Sequence, residues 1–128
     1  MKTFVDSLAV SDKQHIDNLR QTILRNDENV KEEPGKIMSV DKTLNYMQEG
    51  VFKYGLAKTE KHYSFHSMVM YAYPDIAKFV KANTKGLKLQ KGCINFQNPK
   101  DFPPEVFTEM IKMSAEKDFS VVMKRYKK

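Results

Sequence analysis

The chain has 128 residues, 41% of them hydrophobic and 11% aromatic, which suits one globular domain built on a single core and excludes both a disordered chain and two independent domains. Lysine and arginine outnumber aspartate and glutamate by 22 to 16, and the excess lies in residues 61–128, with thirteen basic and six acidic residues against nine and ten in residues 1–60. No run approaches the roughly 18 apolar residues of a membrane span, Asp6 interrupts the amino terminus before a signal-peptide core forms, and the single Cys93 has no CxxC partner, so the expectation is a cytoplasmic protein without disulfides or membrane contact.

Thr3–Val10 reads as a short helix. Ser11-Asp12-Lys13-Gln14 has the form of a capping box, and Ile16, Leu19, Ile23 and Leu24 then recur at helical spacing, which predicts a helix over about 12–26 with that stripe buried. From Asp27 to Asp41, Glu32-Glu33-Pro34-Gly35 breaks up isolated apolar residues, and the segment is expected to be a loop with one short strand around Lys36–Val40.

The clearest local signal is a hairpin at Val51–Met68. Phe52, Tyr54 and Leu56 alternate with Val51, Lys53 and Gly55, and Tyr63 and Phe65 alternate with His62, Ser64 and His66, around a polar turn at Lys58–Lys61. Pairing Leu56 with Tyr63 and Tyr54 with Phe65 buries an aromatic face and leaves Lys53, Ser64, His62 and His66 on the outer one.

Pro74 fits the first turn of a helix over about 74–84, with Ile76, Phe79 and Val80 inward, Lys81 and Lys85 near its negative end, and Gly86 to stop it. Two short strands follow at about 87–90 and 92–97, joined at Lys91-Gly92. Asp101 and Pro103-Pro104 open a further helix burying Val106, Phe107, Met110 and Ile111, and a last helical stretch carries Phe119, Val122, Met123 and Tyr126. Helices, three strands, helix, two strands and helices make an α+β domain over 1–128, with a mostly antiparallel sheet of about five strands.

His62 and His66 have the spacing of a helical metal pair, but along a strand the four-residue step separates their Cα atoms by roughly 13 Å, which makes them separate groups on the outer face. The candidate ligand-binding residues are therefore His66, His62, Lys53 and Ser64, with no metal set defined. Asp12 and His15 lie one helical turn apart, as in a helix-surface hydrogen bond. Asp27, Glu28, Glu32 and Glu33 are the oxygen-rich alternative for a hard cation. No G-x-S-x-G elbow and no phosphate-binding glycine pattern occurs, so no catalytic residue is assigned. Lys81, Lys85, Lys88 and Lys91, with Lys100, Phe96 and Phe102 near them in sequence, outline a possible single-strand nucleic-acid surface. The methionines at 110, 113 and 123 lie on apolar helical faces and suit core filling.

Tyr54-Gly55-Leu56, KHYSFHSM at 61–68, Tyr73-Pro74, LQKGCINF at 89–96 and the helix behind Pro103-Pro104 together resemble the small bacterial YdhG-like proteins, a family known as a domain of unknown function, over about residues 40–115. The resemblance implies a compact α+β domain. For one branch it implies a frataxin-like role, carrying iron to iron-sulfur cluster or haem assembly, with the assembly proteins as partners. No iron ligand is transferred, because Asp6, Asp12, Asp17, Asp27, Glu28, Glu32 and Glu33 lie in no matched motif. The expected function is a non-enzymatic binding or adaptor domain, with iron delivery its most specific version. The alternatives are a nonspecific nucleic-acid-associated protein, and a small enzyme or ligand-binding protein with a pocket beside His62 and His66.

Overall fold

The computed structural model describes residues 10–37, 40–58, 62–85, 87–90 and 92–126. In chain order the elements are α1 (Val10–Asn26), β1 (Lys31–Ile37), β2 (Val40–Gln48), β3 (Val51–Lys58), β4 (Tyr63–Ser67), α2 (Met68–Ala72), α3 (Pro74–Ala82), β5 (Lys88–Gln90), β6 (Cys93–Phe96), α4 (Pro104–Glu116) and α5 (Ser120–Tyr126). The strands form one antiparallel sheet of six in the order β1-β2-β3-β4-β6-β5. The α+β architecture agrees with the expectation, with six strands rather than five. No helix among the described residues is long and apolar enough to cross a membrane.

In place of the one short strand expected around Lys36–Val40 there are two longer ones, β1 through the segment expected to be loop and β2 running on to Gln48 through residues to which no element was assigned. β1 runs through Pro34 and Gly35, residues that would break a central strand, but it lies at the sheet edge, where a missing backbone donor leaves no ladder bond unmade. Its Glu32 carboxylate receives two bonds from Arg20 of α1, at 2.7 and 3.0 Å, and one from the Tyr46 hydroxyl at 2.6 Å. Burial alone would raise this carboxyl, yet the Arg20 fork, the Tyr46 hydroxyl and the Arg20 charge together hold it below the ordinary glutamate value. β2 and β3 are joined by the two-residue turn Glu49-Gly50, both with positive φ (51° and 80°), the conformation whose twist matches that of the flanking strands.

The core lies between one sheet face and the helices. Leu44, Tyr46, Tyr54, Leu56, Tyr63, Phe65, Ile94 and Phe96 point into it and meet Ile16, Leu19 and Ile23 of α1, with Val106, Phe107, Met110 and Ile111 of α4. A run of ring contacts crosses this layer, from Tyr54 to Phe65, Phe107, Phe102, Phe96 and Tyr63, with centroids 5.1–5.8 Å apart. Leu24, placed in the buried stripe by its spacing, is exposed, because the helix meets the sheet on the narrower Ile16-Leu19-Ile23 line. The chain is already helical at Val10, so Ser11 lies inside α1 rather than at its cap. The short helix expected at Thr3–Val10 falls, apart from Val10, outside the described residues.

The β3–β4 hairpin is present with a different register. Leu56 faces Phe65, Tyr54 faces Ser67 and Lys58 faces Tyr63. This is a slip of two residues from the expected pairing, and a slip of two leaves the paired residues 54–58 and 63–67 on their original faces. The turn at Lys58–Lys61 lies, beyond Lys58, outside the described residues. β4 ends earlier than expected because Ser67 caps α2, its hydroxyl accepting from Met70 N at 3.0 Å.

Candidate functional site

The sheet face turned away from the helices carries the candidate site. Antiparallel pairing sets His66 opposite Cys93, and Ser64 opposite Asn95, on β4 and β6. Gly55 and Ala57 of β3 pair with His66 and Ser64 on the other side, so no large side chain stands beside those two residues. The outward parity of His66, Cys93 and Asn95 follows from Phe65, Ile94 and Phe96, their neighbours in sequence, filling the core.

Five polar side chains on this face form one connected run. Ser64 Oγ lies 3.2 Å from His62 Nδ1 and donates to Asn95 Oδ1 at 2.7 Å. Cys93 Sγ approaches the same oxygen at 3.5 Å and lies 3.9 Å from His66 Nε2. His62, His66, Cys93 and Asn95 are half-buried, while Ser64 is nearly covered. At the His62 end, Lys88, Asn95, Gln97 and Asp101 border a shallow depression of about 150 Å³.

Burial pushes the Cys93 thiol above, and the His66 imidazole below, their ordinary values. An activated thiolate requires the opposite shifts, with the sulfur anion held by a charged partner. Among the described residues no three His, Cys, Asp or Glu side chains converge as a metal cage.

Of the four residues expected to bind ligand, the structure brings His62, Ser64 and His66 into this run and removes Lys53. The correction has a local cause. Met47 pairs with Phe52 but Tyr46 with Tyr54, which leaves Lys53 as the extra residue of a β-bulge. The bulge turns Lys53 into the core, where its ammonium lies 2.7 Å from Asp27 Oδ2 and from Gln48 Oε1, and over the rings of Phe119 and Tyr54. Tyr54 donates to the same Asp27 oxygen at 2.8 Å. Asp27 and Glu32 of the expected acidic cluster are therefore committed to internal partners.

Cys93 and Asn95 join the site although the sequence reading assigned them no role in it. Their parity in Cys93-Ile94-Asn95-Phe96 is a readable signal, but the register that sets them against His66 and Ser64 is not. His15, expected on a helix surface beside Asp12, instead packs edge-on against Tyr63 at 4.7 Å, its Nε2 buried without a hydrogen-bond partner, while Asp12 accepts from the Tyr63 hydroxyl. Of the lysines proposed for nucleic acid, Lys81, Lys85 and Lys88 are exposed and Lys91 lies outside the described residues. Lys85 and Lys100 share a depression with Asp101, and Phe96 and Phe102 are buried, which leaves no stacking aromatic among these residues.

No protein-family model, curated protein or solved structure matches the chain.

Proposed function

We propose that the protein is a small non-enzymatic binding domain, of the kind the YdhG-like resemblance implies, and that its ligand face is the strip His62-Ser64-Asn95-Cys93-His66. The observation that carries this reading is the connected run of five polar side chains across two central strands, on a face where core packing demands none of them. A stretch with no packing duty is where a rigid scaffold places recognition groups, and three of the five side chains are held by more than one partner. Delivery of iron through carboxylates has weaker support, since Asp27 and Glu32 are bound up with Lys53, Tyr54, Arg20 and Tyr46. Nucleic-acid association is weaker too, because its aromatic half lies in the core.

The test is chemical-shift mapping of the labelled protein against a panel of amino acids, dicarboxylates, sugar phosphates and nucleotides. Saturable shifts centred on Ser64, His66, Cys93 and Asn95 are expected. Shifts confined to Lys81, Lys85 and Lys88, or no saturable shift on β4 and β6 from any class, would remove the strip as a ligand face.

A further inference from the structure

We propose that the free edge of β5 and the apolar groove beside it capture an extended acidic peptide, which adds a seventh strand to the sheet and seats one apolar side chain in the groove. The groove lies on the helix side of the sheet, whereas the strip His62-Ser64-Asn95-Cys93-His66 lies on the outer face of β4 and β6, so this is a second binding surface that does not depend on the first.

The place of β5 in the sheet leaves one rung of its ladder unmade. It ends the order β1-β2-β3-β4-β6-β5, and among the described residues no strand lies beyond it. Gly92 O accepts from Ser67 N at 2.9 Å, which points that carbonyl at β4. Across the trans peptide the Cys93 N–H points the opposite way, at β5, and alternation turns the polar groups of Ile94 back toward β4. Leu89 pairs with Ile94, so its own N–H and C=O face away from β6, one donor and one acceptor for a single residue of an incoming strand. The opposite edge is unsuited to this, since β1 is blunted by Pro34 and by a register break after Gly35.

The side chains around that rung select the partner. A residue paired with Leu89 puts its side chain on the face that Leu89 shares with the buried Ile94, toward the helices. There Leu89 and Gly92 meet Met70, Tyr71, Pro74 and Ala77 around a groove of about 490 Å³ with no charged residue in its lining, and Tyr71 is 42% exposed. The surrounding charge has one sign: residues 76–100 contain six lysines and no aspartate or glutamate, and Lys78, Lys81, Lys85 and Lys88 are exposed. Lys78 and Lys81 stand one helical turn beyond Pro74 and Ala77 on α3, while the one carboxylate of that helix, Asp75, is held by Lys117 at 2.7 Å. In an antiparallel addition the residue after the apolar anchor faces Lys88. An apolar side chain flanked by carboxylates is the complementary sequence, and the same lysines repel a second copy of this chain. A nucleic-acid strand would use the lysines but offers no peptide backbone to pair with Leu89.

The probe is the capped peptide Glu-Thr-Glu-Leu-Glu-Thr-Glu, titrated into the labelled full-length protein. Saturable shifts of the Met70, Ala77 and Leu89 amides are expected, with the Leu89 amide moving downfield and its hydrogen exchange slowing as its N–H gains an acceptor. N-methylation of the central leucine, which removes the donor to Leu89 O, or lysine in place of every glutamate should each weaken binding about tenfold or more. Ala77→Glu sets a carboxylate in the groove and should abolish the shifts. Lys78→Glu with Lys81→Glu, both at exposed positions, should weaken the glutamate peptide and strengthen the lysine peptide. Equal affinity for the N-methylated peptide would remove the edge pairing, and equal affinity for the lysine peptide would remove the acidic partner. Shifts of Leu89 and Ala77 by a single-stranded oligonucleotide but not by the peptide would assign the surface to nucleic acid. Each of these results overturns the proposal, as does the absence of saturable shifts at millimolar peptide.

Discussion

At the scale of single residues, Lys53 shows how strongly one side chain can be committed to structure. Its side chain is 1% exposed and that of its partner Asp27 is fully covered, so neither charge has water to fall back on. Attraction between buried charges only about offsets the loss of hydration, which makes such a pair worth little against an apolar replacement of both partners and very costly to split. Lys53→Met, which keeps the stem and removes the ammonium, should therefore lower the unfolding free energy by about 3–5 kcal/mol, read from urea denaturation. Adding Asp27→Asn should restore much of that loss, since the amide oxygen still accepts from Tyr54 while the unpaired charge is gone. A cost for Lys53→Met below about 1 kcal/mol would put the pair in the class of surface ion pairs, contrary to its burial. The same pairing bears on function, because Asp27 cannot turn outward to a metal without uncovering Lys53.

Among the elements, the tight turns make a sharper comparison than the strands they join. Gly50 has φ +80° with open space where a Cβ would stand, so Gly50→Ala carries only the backbone cost of the left-handed region, about 1–2 kcal/mol. Gly92 has φ +71°, and a Cβ there would meet Ser67 O at 3.3 Å, a backbone atom held in place because Gly92 O accepts from Ser67 N. Gly92→Ala should accordingly lower the melting temperature more than Gly50→Ala, and equal losses would show that the Ser67 contact yields freely. These turns also mark how far the chain can be read without its structure. Helices α1, α3 and α4 follow from period-3.6 stripes, and β3 and β4 from aromatic alternation, because each pattern is complete within its own segment. β1 is hidden: Glu32 is accommodated by Arg20 and Tyr46, which are distant in sequence, and Pro34 is tolerated only because the strand lies at an edge. Lys53 misleads for a related reason, since parity counting assumes an unbroken ladder and a bulge shifts it by one. Three of the five residues of the candidate site were visible as His62, Ser64 and His66, while Cys93 and Asn95 enter through an inter-strand register that no local pattern specifies.

For the whole molecule, the buried titratable groups set how stability responds to acid. Burial depresses His15, partly offset by the Asp12 charge, and it depresses His66 in the same sense, both from an ordinary value of 6.5. Between 6.5 and the lower folded values the unfolded chain binds more protons than the folded one, so stability falls as pH falls through that window and levels off below it. Glu32 adds a second stage: its folded value lies below the ordinary 4.5, so its contribution is complete above 4.5 and is lost as pH drops through the folded value. Thermal melts should thus be level from neutrality up to about pH 8, decline at higher pH as the buried Cys93 thiol and the Tyr46 and Tyr54 hydroxyls, all held above their ordinary values, titrate in the unfolded chain, decline also from about pH 6.5 downward, and decline again under more acidic conditions than pH 4.5. His15→Phe isolates the first stage. It keeps an aromatic ring against Tyr63 and Phe96, removes the unpartnered Nε2, and eliminates one of the two groups that titrate there. The slope of melting temperature between pH 6.5 and about 5 should become shallower in this variant, with the Glu32 stage unchanged. An undiminished slope would assign the mid-range acid sensitivity to groups other than His15, and a slope of opposite sign would contradict the burial that places its imidazole beneath Tyr63.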